Sequence, residues 1–94
     1  MLELRRENDC IYLSGRFDAS QVEKARAVFD EIEETCTANF SELRYISSAG
    51  LGILLMTQKR LQSKGFELKI TGLNSHIREI FRYAGFDLIF NIIE

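Results

Sequence analysis

The chain has no proline, no tryptophan, one histidine and two cysteines among its 94 residues. With no proline, no low-complexity tract and no internal repeat, nothing marks a linker, and we expect one domain, residues 1–94. His76 has no Asp, Glu or Cys around it at ligand spacing, so a metal site is not expected. Cys10 and Cys36 form no C-x-x-C pair and are expected to be reduced and buried. The net charge is only −2, without the basic excess of a nucleic-acid binder. The longest apolar run, Ile53 to Met56, is far too short to cross a bilayer. Met1 to Glu7 lacks the apolar core of a signal peptide, so the expectation is a cytoplasmic protein without membrane insertion.

What is present is ordinary soluble-domain chemistry. Hydrophobic residues make up 46% and charged residues 28% of the chain, enough for a modest core. Met1 to Arg6 and Cys10 to Phe17 both alternate and flank the polar turn Glu7-Asn8-Asp9, which reads as a β-hairpin. Asp18-Ala19-Ser20-Gln21 fits a capping box, with Asp18 as N-cap and Gln21 reaching back. Val22, Ala25, Phe29 and Ile32 then form an apolar helical stripe, with Glu23, Lys24, Arg26, Asp30 and Glu33 on the wet side.

Thr35 to Phe40 fits only a short strand, because it lacks a β-branched run. Leu43, Tyr45 and Ile46 read as loop or core contacts. A helix is expected over Ser48 to Lys64, with Gly65 at its C′ position. Phe66 to Thr71 alternates as a strand, with Phe66, Leu68 and Ile70 on one face. Asn74 or Ser75 should cap a helix with the stripe Ile77, Ile80, Phe81 and Ala84, closed by Gly85. Phe86 to Ile93 should finish as a short strand. The order β-β-α-β-α-β-α-β implies an α/β fold: a mixed, mostly parallel four- to five-stranded sheet, with helices mainly on one face.

Catalytic motifs are missing. The third glycine of a dinucleotide loop begun at Gly50-Leu51-Gly52 would fall on Leu55. No G-K-[ST] or G-x-S-x-G occurs, and His76 is the only imidazole. No enzyme activity and no cofactor is expected.

The distinctive stretch is Tyr45-Ile46-Ser47-Ser48-Ala49-Gly50-Leu51-Gly52. It places two hydroxyls at a helix start, where one serine could simply be an N-cap worth about 1 kcal/mol. A cap needs one hydroxyl, however, and each glycine in the first turn costs about 0.5–1 kcal/mol relative to alanine. A destabilised, sterically open helix start also suits modification or docking.

Three segments together resemble the STAS domains of anti-sigma-factor antagonists: Leu13-Ser14-Gly15-Arg16-Phe17-Asp18, the serine turn, and the tail from Gly72-Leu73 to Gly85-Phe86. The resemblance implies a STAS fold and a phospho-switchable binding module. Its partners would be an anti-sigma factor that is also a serine kinase, and a PP2C-type phosphatase. It makes Ser48 the first candidate for phosphorylation and Ser47 the second. Asp18, Ser47, Ser48, Ala49, Gly50 and Leu51 become the partner-binding residues. The family turn reads Asp-Ser-Ser/Thr-Gly-Leu-Gly, so Ser47 stands at the aspartate and Ala49 at the second hydroxyl. A further family acidic residue, at the end of the strand before the turn, falls on Asn39. The alternative use of the fold is as a non-phosphorylated STAS subunit of a phospholipid ABC-transport complex.

Overall fold

The computed structural model describes residues 1–93. β1 (Leu2–Glu7) and β2 (Cys10–Phe17) pair antiparallel around a two-residue loop. Asn8 takes the left-handed conformation there (φ +55°), which asparagine tolerates better than most residues. After β2 come a 3-10 turn (Ala19–Gln21), α1 (Val22–Phe29), β3 (Cys36–Ile46), α2 (Ser48–Gln62), β4 (Leu68–Thr71), α3 (Ser75–Tyr83), a second 3-10 turn (Phe86–Leu88) and β5 (Asn91–Ile93).

The five strands lie in the order β1-β2-β3-β4-β5, and every pair after the hairpin is parallel. Spatial order follows chain order, so crossovers of one hand carry all three helices to the same face. Burial agrees. Ile11, Leu13, Phe17, Ala38, Phe40, Leu43, Ile46, Leu68 and Ile70 point from the sheet into the core. Ala25, Phe29, Leu54, Leu61, Ile77 and Phe81 meet them from the helices. The other face, with Tyr12, Ser14, Asn39 and Lys69, is left half-open.

β3 corrects the expected short strand. It runs eleven residues, and Leu43, Tyr45 and Ile46 belong to it. The pairing moves from Tyr12↔Asn39 to Ser14↔Glu42, and from Gly15↔Leu43 to Arg16↔Tyr45. Each step inserts an extra residue on β3, so Phe40, Leu43 and Ile46 all face the core at a spacing of three. That spacing hides a strand from a search for alternation. Asn39 therefore lies inside β3 and not at its end, and its Oδ1 accepts from the Ser41 amide at 2.9 Å.

The capping box forms only in part. Asp18 caps the 3-10 turn, whereas Gln21 turns to the sheet, where its Oε1 accepts from the Leu2 amide at 3.2 Å. Lys24 Nζ donates to the Leu2 carbonyl, so helix side chains extend the ladder at the edge strand. Ile32 is buried but lies beyond the end of α1. Phe66 precedes β4 and is 38% exposed, and Ala84 is exposed just past α3. Asn74, and not Ser75, caps α3 through its Oδ1 to the Ile77 amide (2.8 Å). At the end of α2, Gly65 donates to Gln62 and Phe66 to Leu61, the paired bonds of a Schellman motif around a left-handed glycine.

Cys36 is buried, which pushes its thiol up to about 11, and Cys10 is half-buried; both are free. No described helix is long and apolar enough to cross a membrane.

Gln58 is the one fully buried polar side chain in the core of α2. Its Oε1 accepts from the Leu68 amide at 2.6 Å and its Nε2 donates to the Ile89 carbonyl at 3.1 Å, tying α2 to the start of β4 and the approach to β5. Gln58→Leu preserves size but strands both backbone groups, so urea unfolding should show a loss of about 2–4 kcal/mol. A variant as stable as the wild type would show that these bonds add nothing.

Candidate functional site

β2 and β3 end together. Phe17 pairs with Ile46, and the Ser47 amide donates to the Phe17 carbonyl at 2.9 Å. One residue further on, β2 turns at Asp18 and β3 turns at Ser47. The parallel register thus brings Asp18 and the start of α2 to one corner of the domain.

The two serines are not equivalent. Ser47 is extended (φ −88°, ψ 169°), and its Oγ accepts from the Gly50 amide at 3.1 Å. It is the N-cap. Ser48 is the first helical residue, exposed, and its hydroxyl makes no hydrogen bond among the described residues. Both serines sit at the positive end of the α2 dipole, and no acidic residue occupies the first turn.

The other expected contact residues divide. Ala49 is exposed and Leu51 is half-buried against the core. Gly50 is buried and faces inward. A Cβ there would lie 2.9 Å from Ile46 Cγ1 and 3.1 Å from the Phe17 ring. Gly50 therefore does not open space for a partner; it lets the helix start close onto the strand ends. Gly52 is the sterically open glycine, with nothing within 4 Å of its Cβ position.

Asp18 is half-buried, and its Oδ1 accepts from the Ser20 hydroxyl at 2.6 Å and the Ser20 amide at 3.1 Å. The hydroxyl bond chiefly holds the carboxyl below its usual range. The amide bond, the N-terminal charge and Arg16 add to that, and desolvation partly opposes it. Asp18 therefore stays ionised beside the serines at neutral pH.

Two neighbours lay within the quoted motifs but were not named as site residues. Arg16 lies over the Tyr45 ring, 4.4 Å from its centroid, on the open side of the same strand ends. The signal for them was positional: each is the penultimate residue of its strand. Surface depressions of about 280, 350 and 350 Å³ are lined by residues other than Asp18, Ser47 and Ser48.

The sequence model of the family described as "Mlab, STAS domain" matches residues 1–93. The chain belongs to the STAS family. A Bordetella bronchiseptica protein named as the anti-sigma factor antagonist BtrV is 37% identical over 76 residues, covering 80% of this chain. The chain spans 66% of that relative's length. Among solved structures, an anti-sigma factor antagonist from Thermotoga maritima superposes with a TM-score of 0.82 at 18% identity, covering 99% of this chain and 86% of that one. The antagonist SpoIIAA has been solved in two states. The unphosphorylated form gives a TM-score of 0.77 at 20% identity, covering 100% of this chain and 89% of that one. The phosphorylated form from Bacillus gives 0.72 at 19%, covering 100% and 92%. At these identities the superpositions establish the STAS fold, a mostly parallel five-stranded sheet with three helices.

The STAS turn makes separable stability predictions. Ser47→Ala should cost about 1 kcal/mol in urea unfolding through loss of the cap. Ser48→Ala should stay within about 0.5 kcal/mol of wild type. Gly50→Ala should cost about 1–3 kcal/mol by overpacking, whereas Gly52→Ala should gain about 0.5–1 kcal/mol. Equal costs for the two serine variants would refute the division of roles.

Proposed function

We propose that the chain is an anti-sigma factor antagonist that works by partner switching in the cytoplasm, with Ser48 as its phosphorylation site. One observation carries this reading: Ser47 supplies the helix cap, leaving the exposed Ser48 hydroxyl free for chemistry. The 37% identity to a protein named as such an antagonist supports it.

In this reading the unmodified antagonist binds an anti-sigma factor that is also a serine kinase. The kinase transfers the γ-phosphoryl group of a nucleoside triphosphate to Ser48 Oγ, the nucleoside diphosphate leaving as the hydroxyl proton passes to a base on the kinase, and a PP2C-type phosphatase returns the serine by hydrolysis, releasing inorganic phosphate. The phosphate adds about −1.5 to −2 charges. The helix N-terminus accepts that charge, so the fold survives. The interface does not, because a partner covering Ser48 must desolvate a dianion beside the Asp18 carboxylate. A hundredfold loss of affinity requires about 2.8 kcal/mol. The contact surface comprises Asp18, Ser47, Ser48, Ala49 and Leu51, with Gly50 beneath it.

The test is phosphorylation by the anti-sigma kinases of the source genome, with sites mapped by mass spectrometry. Phosphate should appear on Ser48 and vanish in Ser48→Ala, and Ser48→Asp should bind about a hundredfold more weakly. Cellular protein that never carries phosphate, together with wild-type binding by Ser48→Asp, would sink the switch.

A second reading is a non-phosphorylated STAS subunit of a phospholipid ABC-transport complex, docking through the same helix start. Serine at the position of the family turn's aspartate favours it. Stable co-purification with a transport ATPase, unchanged by phosphatase treatment, would select this second role.

A further inference from the structure

The open face of the sheet carries two arginine–tyrosine stacks with the same geometry. Arg5 lies over Tyr12 and Arg16 over Tyr45, each 4.4 Å from the ring centroid. Their charges are handled differently. Arg5 is paired with Glu7, Nε to Oε2 at 3.1 Å. Arg16 has no carboxylate within ion-pair distance and donates no side-chain hydrogen bond among the described residues. Asp18, one residue past Phe17, is bonded to Ser20 instead.

Arg16 is nevertheless held in place. Its amide donates to the Met1 carbonyl at 3.0 Å, and its residue pairs with Tyr45 in the parallel register. The guanidinium face is covered by the ring while the residue as a whole is exposed. A planar fork with its face stacked and its N–H edge unpaired is preorganised for a planar anion, and it loses little rotamer freedom on binding one. It also sits two residues before the helix-start corner along each strand.

We propose that Arg16, stacked on Tyr45, receives an Asp or Glu carboxylate of the anti-sigma factor and sets how that partner lies over Ser48. The inference rests on the antagonist reading above. Arg16 and Asp18 present opposite charges from neighbouring positions on one rim, so a complementary partner places an acid over Arg16 and a base over Asp18. The reversed orientation meets like charges on both sides, and that fixes the register of docking. The inference commits to a carboxylate-bearing protein because the Arg16 guanidinium is stacked beside the helix-start corner with no carboxylate within ion-pair distance.

Calorimetric titration of the anti-sigma factor that binds the wild-type protein tests it, with urea unfolding to verify that each variant folds. Arg16→Ala should weaken binding by about tenfold or more. Arg16→Lys, which keeps the charge but loses the fork, should recover little of that. Tyr45→Phe keeps the stacking ring and should bind within about twofold of wild type, while Tyr45→Leu should lose several-fold. The affinity of Arg16→Ala should also depend less on salt than that of the wild type. Arg16→Ala or Arg16→Lys at wild-type affinity overturns the anchor, and if Ser48→Asp is weak in the same titration the switch reading stands. Wild-type binding by Ser48→Asp alongside weak binding by Arg16→Ala sinks the switch and keeps the anchor. A wild-type protein that binds no anti-sigma factor of its genome removes both.

Discussion

The structure depends on β2 and β3 staying paired until both strands end. Their last pair, Phe17 with Ile46, is closed by the Ser47 amide on the Phe17 carbonyl, and both side chains are buried. Gly50 then packs where a Cβ would strike those two residues. This contact sets how α2 leaves the sheet. It also places Asp18, Ser47 and Ser48 at one corner and lines up Arg16 with Tyr45 on the open side. The bulges in β3 are part of the same constraint, because they bring Ile46 to the core at the right point.

Around that contact, the helices are fastened by side chains that complete backbone hydrogen bonding. Arg60 donates to the carbonyls of Phe29 and Ile32, satisfying the end of α1 from α2. Gln58 serves β4 and the approach to β5, and Asn74 Nδ2 donates to the Leu43 carbonyl beside the bulged part of β3. No buried side-chain polar atom is left without a partner among the described residues. In the proposed phospho-switch, a scaffold stitched in this way would keep its helix start in place while the charge on Ser48 changes. A charge-based switch of partners on such a scaffold needs no refolding, only a dianion placed where a protein surface must close.

Much of the fold was legible because its signals are local. The hairpin, a cap at Asn74 or Ser75, the glycine after α2 and the stripe of α3 are each written within a few residues. Where the reading failed, distant partners had won. Gln21 has the right spacing for a capping box, but the edge of β1 offers its carboxamide the Leu2 amide. β3 has no β-branched run and loses its alternation after Phe40, and it continues as a strand because β2 flanks it throughout, β4 flanks its start and its bulges reset the register. Phe66 continues the alternation of β4, but the Schellman turn ends α2 there and its amide is already spent on Leu61.

The sequence by itself determined the order of elements, the helix start at the serine pair and the absence of recognisable catalytic motifs, because periodicity and capping chemistry act over single turns. Its resemblance to STAS domains pointed to the same turn. Only the tertiary structure separated the two serines, since the cap is decided by backbone angles at the strand end and not by residue type. It also turned Gly50 from an opening into a packing requirement, moved Asn39 away from the corner and stacked Arg16 on Tyr45. Those four outcomes share one physical reason: each depends on the parallel register between strands joined by a crossover, which no local pattern encodes.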